Sequence, residues 1–217
     1  MYEKRKKLLL SVFGLIIVAL TSIGGYYWYN NAYYVSTEDA KIDADLIRVS
    51  PQIAGKLLEF DIKAGDRVIK EQILGRQEML NQPASNIDMS LVRAPIDGVV
   101  IKKQGNVGDI VSPGQTLAVL VDPAKIYITA NIKEKKINEI VKGQKVDIEI
   151  DQYPGVEFTG YVKTIGLAAN SAFSLLPSST GGTFTKVIQR IPVKIEFNSK
   201  SYKMLPGTNA VVKIHIR

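Results

Sequence analysis

One pattern occurs twice in this chain. Gly65-Asp66-Arg67-Val68, followed by Gln72-Ile73-Leu74, returns 43 positions later as Gly108-Asp109-Ile110-Val111, followed by Gln115-Thr116-Leu117. A proline and a glycine precede each copy, Pro51 and Gly55 in the first, Pro95 and Gly98 in the second. Two copies of about 30 residues each, both rich in β-formers, predict two half-sheets that pair into one small sandwich, because neither half buries its apolar face alone. The halves fall at 47–76 and 91–122. Between them, 77–90 contains Asn81-Gln82-Pro83-Ala84-Ser85-Asn86, has no amphipathic period and reads as a loop.

The N-terminus is of another kind. Leu8 to Tyr29 carries no charge. At about 1.5 Å per residue such a helix is about 33 Å long, enough for a hydrocarbon core of about 30 Å. Lys4, Arg5, Lys6 and Lys7 precede it, and Tyr26, Tyr27, Trp28 and Tyr29 crowd its far end. A basic flank stays cytoplasmic and amphipathic rings favour the interface. Residues 1–30 therefore read as a cytoplasmic tail and a single-pass anchor in the cytoplasmic membrane, with the bulk of the chain outside. A cleaved signal peptide is the competing reading. The apolar run is longer than a usual signal core, and no small-x-small cleavage site follows it. Residues 31–46 read as a polar and aromatic stalk.

After Pro123 the pattern changes to a period of two. Ile126, Ile128, Ala130 and Ile132 alternate with polar residues, as do Val146, Ile148 and Ile150, then Val193, Ile195 and Phe197, then Val212, Ile214 and Ile216. Phe158 to Ile165 is a further strand, and Ile137, Ile140 and Val141 suggest a short helix stopped by Gly143. Short strands separated by turns predict a small antiparallel β-barrel over 123–217. The fold class is thus mainly β: an N-terminal helix, a two-copy sandwich and a barrel. Within the barrel, Gly166 to Lys186 is long and irregular and carries Phe173, Leu175 and Leu176. These either plug one end of the barrel or form an apolar contact patch for a partner.

Little in the chain points to catalysis. There is no cysteine, which excludes disulfides, thiolate metal sites and a cysteine nucleophile. His215 is the one histidine; it alternates with Lys213 and Arg217 on the polar face of the last strand and reads as exposed and inert. Asp39, Asp43 and Asp45 match no metal-binding loop. No glycine-rich phosphate loop opens a helix. The net charge of +7 includes +3 from the first 30 residues, and the rest is spread too evenly for a nucleic-acid face. The reading is a protein that is not an enzyme and has no cofactor, no metal and no nucleic-acid partner.

The doubled half-motif resembles the biotinyl/lipoyl-like domain. Carriers of that fold bear the cofactor on a lysine of the mid-chain hairpin, but 77–90 contains no lysine; the nearest are Lys70 and Lys102. The other users of the fold are membrane-fusion, or periplasmic adaptor, proteins of the HlyD type, and the match is closest to their EmrA-type branch. Thr37-Glu38-Asp39-Ala40 is similar to that branch, as are Gly143-Gln144-Lys145-Val146 and Tyr153-Pro154-Gly155. The most specific stretch is Ser171-Ala172-Phe173-Ser174-Leu175-Leu176-Pro177, continued by Lys186 to Val193. The resemblance implies the adaptor subunit of a multidrug-type efflux or secretion system. Its partners would be the lipid bilayer, a transporter of the major-facilitator drug:proton antiporter type and further copies of itself. Family members carry a long coiled-coil hairpin between the two lipoyl halves, and here only 77–90 remains. The alternatives are a biotin or lipoyl carrier, which a modified lysine in a mass spectrum would reveal, and a surface-anchored binding module without a transporter.

Overall fold

The computed structural model describes residues 2–79, 88–173, 188–198 and 202–217, with side chains from Phe13 onward except those of Met79, Ala172 and Phe173. In chain order the strands are β1 (Tyr34–Val49), β2 (Gly55–Glu59), β3 (Arg67–Val68), β4 (Ile73–Met79), β5 (Leu91–Arg93), β6 (Gly98–Lys103), β7 (Ile110–Val111), β8 (Ala118–Lys133), β9 (Lys145–Ile150), β10 (Glu157–Ile165), β11 (Arg190–Phe197) and β12 (Asn209–His215). A helix, α1 (Tyr2–Tyr33), precedes them, and a one-turn helix, α2 (Glu134–Ile137), follows β8. The chain divides into two compact units. One comprises 42–127 with 199–207, the other 1–41, 128–198 and 208–217.

The repeat builds the first unit. In each copy the aspartate folds back on its own turn: Lys63 N donates to Asp66 Oδ2 at 2.7 Å, and Asn106 N to Asp109 Oδ2 at 2.8 Å. The glycine ahead of it has a φ of 99° at Gly65 and 97° at Gly108, a region open to glycine without strain. Each turn then bonds to the opposite copy. Gly65 N donates to Val100 O and Gly108 N to Leu57 O, both at 2.7 Å, and the returning bonds run Val100 N to Asp66 O and Leu57 N to Asp109 O. Accordingly β3 of the first half pairs with β6 of the second, and β7 of the second pairs with β2 of the first. The halves are interlocked rather than stacked.

The core repeats with the same spacing. Val49 and Val92, Leu57 and Val100, Val68 and Val111, and Leu74 and Leu117 are equivalent pairs, all buried in one cluster around Phe60. The symmetry breaks at Gln77, the counterpart of Leu120. It is buried at the end of β4, and its amide donates to Ile53 O at 2.9 Å. Gln77 is therefore strand rather than the start of a loop, and Asp88–Ser90 form a short 3₁₀ turn; the intervening 80–87 lie outside the described residues.

The second unit is a closed barrel in the order β1, β12, β9, β10, β11, β8 and back to β1. The alternating residues named above point inward: Ile128, Ala130, Ile132, Val146, Ile148, Ile150, Val193, Ile195, Val212 and Ile214 are all buried. One segment differs from the sequence reading. The expected stalk 31–46 is instead the end of α1 and most of β1, whose Val35, Ala40, Ile42 and Ala44 are buried. Pro123 lies inside the continuous strand β8, and the two units divide four residues further on, between Tyr127 and Ile128. The helix expected around Ile137 is a single turn; Ile140 beyond it is buried, and Gly143 has a φ of 91°. Along α1, Phe13, Leu15, Ile16, Ile17, Val18, Leu20 and Ile23 are all exposed, without a preferred face. Among the described residues no helix is long and apolar enough to cross a membrane.

Candidate functional site at the barrel rim

The motifs most specific to the resemblance are far apart in sequence and meet at one rim of the barrel. The pairing of β1 with β12 slips between Thr37 and Ala40, so Glu38 and Asp39 bulge outward and are exposed. Asp39 N donates to Thr37 Oγ1 at 3.1 Å, and Thr37 Oγ1 donates in turn to Asn131 O at 3.2 Å. Asn131 Nδ2 donates to Asp39 Oδ1 at 2.9 Å, while Asp39 Oδ2 takes an ion pair from Arg190. Asn131 Oδ1 accepts from Asn170 Nδ2 at 2.8 Å. Asn170 opens a 3₁₀ turn, Asn170–Phe173, whose Ser171 hydroxyl donates to Gln189. Gln189 O accepts Glu134 N at 3.0 Å.

These bonds fasten both ends of the irregular loop. Asn170 and Ser171 hold its start; Gln189 and Arg190 hold its end. The Arg190–Asp39 pair is about half exposed, so its net worth is on the order of 0.2–1 kcal/mol. Its effect is geometric: it fixes where the loop leaves and re-enters the barrel. Beside it lies an open groove of ≈ 520 Å³ lined by Thr37, Glu38, Asp39, Lys133, Arg190 and Val211. Leu167 and Ile188, near the two ends of the loop, are exposed. The expected contact residues Leu175 and Leu176, with the side chain of Phe173, lie outside the described residues. The same holds for the side chains of Lys4, Arg5, Lys6 and Lys7, which the backbone puts in the first turns of α1. Trp28 is 72% exposed near the other end of that helix.

His215 is not the bare surface histidine expected. Its Nε2 lies 2.5 Å from Asp147 Oδ2, and its ring meets Tyr34 edge-on at 4.9 Å. Burial alone would raise the Asp147 carboxyl; the His215 hydrogen bond and charge, with Lys145, outweigh it and hold the group below the usual carboxylate range. The three aspartates of β1 take different hydrogen-bond or ion-pair partners. Asp39 pairs with Arg190, Asp43 accepts the amide of Ala44, and Asp45 accepts the Tyr127 hydroxyl at 3.2 Å. Burial, and then Asp43 and Asp45, push that phenol up to about 12. No cluster able to hold a metal occurs among the described residues.

Two known domain families match the two units. Residues 45–123 match the barrel-sandwich hybrid domain of RND membrane-fusion proteins, and residues 126–214 match the YknX-like beta-barrel domain. The putative efflux system component YhbJ of Bacillus subtilis is 40% identical over 98% of this chain and 94% of its own length. The chain belongs to the membrane-fusion protein family. Within the family it is of the EmrA type and lacks the coiled-coil hairpin. The multidrug export protein EmrA of Haemophilus influenzae is 35% identical over 67% of this chain, but the match spans only 38% of EmrA. A solved structure of the periplasmic adaptor protein EmrA covers 84% of this chain and 98% of its own, with a TM-score of 0.54 and 15% identity, a likeness of fold. In this membrane-fusion protein the interlocked sandwich is the barrel-sandwich hybrid, and the rim network belongs to the barrel domain.

Sequence reasoning reached Asp39, Gln189 and Arg190 only as parts of motifs, and it missed Asn131 and Asn170. Asn131 sits at an outward position of an alternating strand, where a polar residue carries no signal of its own. The available sign was that a strand bulge and a loop end both bore charged and amide side chains next to family-specific motifs.

Proposed function

We propose that this chain is the membrane-anchored adaptor subunit of a multidrug-type efflux system, scaffolding a transporter in the cytoplasmic membrane without itself catalysing a reaction. The observation that carries the proposal is the end-to-end likeness to a putative efflux component, in a chain whose two domains are those of membrane-fusion proteins. The uncharged run from Leu8 to Tyr29 begins ahead of the first described side chain, and the residues from Phe13 to Leu20 are exposed and apolar on every side. A helix apolar all round is one that lipid or protein surrounds. Tyr26, Tyr27, Trp28 and Tyr29 suit the outer interface, and Lys4 to Lys7 the cytoplasmic one.

The partner that fits best is a twelve-helix drug:proton antiporter of the major-facilitator type, met by the loop of Phe173, Leu175 and Leu176. The connection from the end of β4 to the start of β5, 80–90, is too short to act as a conduit. Five or six residues out and as many back reach about 20 Å when fully extended. As helices they reach about 8 Å. The adaptor therefore works at a single membrane, with ring-like self-assembly over the transporter's exit as the simplest arrangement. Two results test the reading. Deleting the gene sensitises its host to the transported drugs, whereas unchanged susceptibility to every tested drug class opposes an efflux role. Phe173→Asp with Leu175→Asp leaves the barrel folded but cuts transporter recovery in pull-downs several-fold; full recovery means that these side chains plug the barrel instead.

A further inference from the structure

We propose that the helix-proximal end of the barrel is a docking surface for anionic phospholipid headgroups. The proposal rests on the anchoring reading of α1. That helix ends at Tyr33 and β1 begins at Tyr34, so no linker separates helix from barrel. Ile216 N donates to Tyr33 O at 3.0 Å, tying the end of the last strand to the end of the helix. A cavity of ≈ 320 Å³ opens there, lined by Asn31, Ala32, Lys136, Glu139, Ile216 and Arg217. From Trp28 to Ala32 the helix rises only about 6 Å. If the aromatic residues 26–29 sit among the headgroups, Lys136 and Arg217 lie within a Debye length, about 8–10 Å, of the lipid phosphates.

The charge at this end is lopsided. β9 starts beside the end of β12, with Val146 opposite Ile214, so the segment 138–144 that carries Lys142 closes the same end as Arg217 and α2. Its acids are occupied: Glu139 pairs with Lys136, and Asp147 pairs with both Lys145 and His215. Lys213 lies over the Tyr34 ring at 4.0 Å. Lys135, Lys142 and Arg217 are exposed and have no side-chain carboxylate partner among the described residues; Glu134 and the α-carboxylate on the last residue oppose them. Arg217 lines the cavity itself, and Lys135 and Lys142 lie at the same end of the barrel, the level at which the anchoring reading puts membrane phosphates. Arg217 offers a planar fork to a phosphate, and the two lysines offer point charges.

The test uses the full chain in nanodiscs of neutral phosphatidylcholine, or of phosphatidylcholine mixed with phosphatidylglycerol, with hydrogen exchange read over 134–145 and 213–217. Each cation held at an anionic surface is worth about a fivefold preference, so exchange slows at least fivefold in the anionic discs, and added salt removes the difference. The triple variant Lys135→Glu, Lys142→Glu, Arg217→Glu stays in the discs and loses the lipid dependence; the milder glutamine set weakens it. Equal exchange in both lipids, or a lipid dependence that survives in the triple variant, overturns the proposal and leaves the anchor standing. Failure of the unmodified chain to enter either disc, read by size-exclusion chromatography, overturns the anchor and this surface with it.

Discussion

Gly55→Ala and Gly98→Ala each destabilise the sandwich unit by about 3 kcal/mol, at the upper end of what overpacking costs. A Cβ on Gly55 would stand 2.2 Å from Glu78 O, and one on Gly98 would stand 2.5 Å from Val121 O. Both obstacles are backbone carbonyls, so no rotamer change relieves the clash, and a strand must move. The two glycines are equivalent in the repeat, as are the two carbonyls, so the substitutions give matched losses in urea unfolding. Gly65→Ala and Gly108→Ala provide the contrast. Nothing lies within 4 Å of either added Cβ, and the cost is that of the left-handed backbone alone, about 1–2 kcal/mol. A loss at Gly55 or Gly98 smaller than at the turn glycines would mean that the strand crossings are looser than described.

The second large effect concerns α1. Ile16→Arg combined with Ile17→Arg makes insertion of this helix less favourable by roughly 7 kcal/mol, since each central arginine costs about 2.5–3.5 kcal/mol and each lost isoleucine adds about half a kcal/mol. Both side chains are about half exposed, so the barrel does not depend on them. On cell fractionation the protein moves from the membrane to the soluble fraction, while circular dichroism of the purified variant keeps its β signal. A variant that stays with the membrane at high salt would mean that something other than α1 holds the chain there.

How much of this could be read from sequence depends on whether the signal was local. The repeat was legible because its turns use glycine, aspartate and glutamine at fixed offsets, and the structure uses those side chains within the same few residues. The inward residues of β8, β9, β11 and β12 were legible because these strands keep a period of two; where a ladder slips, the extra residue sits in the partner strand, β6 or β10. β1 was not. Its register slip between Thr37 and Ala40 shifts the buried positions from Val35 to Ala40, Ile42 and Ala44, which breaks the alternation, and alanines give little contrast. The change of pattern after Pro123 marked the passage from one unit to the next, but not that a single strand, β8, runs through it. The rim network and the His215–Asp147 pair were illegible for another reason. Asp39 and Arg190 lie 151 residues apart, and Asp147 and His215 lie 68 apart, so only barrel closure reveals that they touch.

The central claim is that this membrane-fusion protein works beside a transporter. Photo-crosslinking in living cells measures that most directly, with a crosslinking amino acid at Phe173 or Leu175 and, as a control, at Ile110 on the exposed outer face of the sandwich. The account predicts a covalent adduct with a twelve-helix membrane transporter from the loop positions and none with it from Ile110. Adducts only with other copies of this chain, or no adduct from either loop position while the chain remains in the membrane, would contradict it.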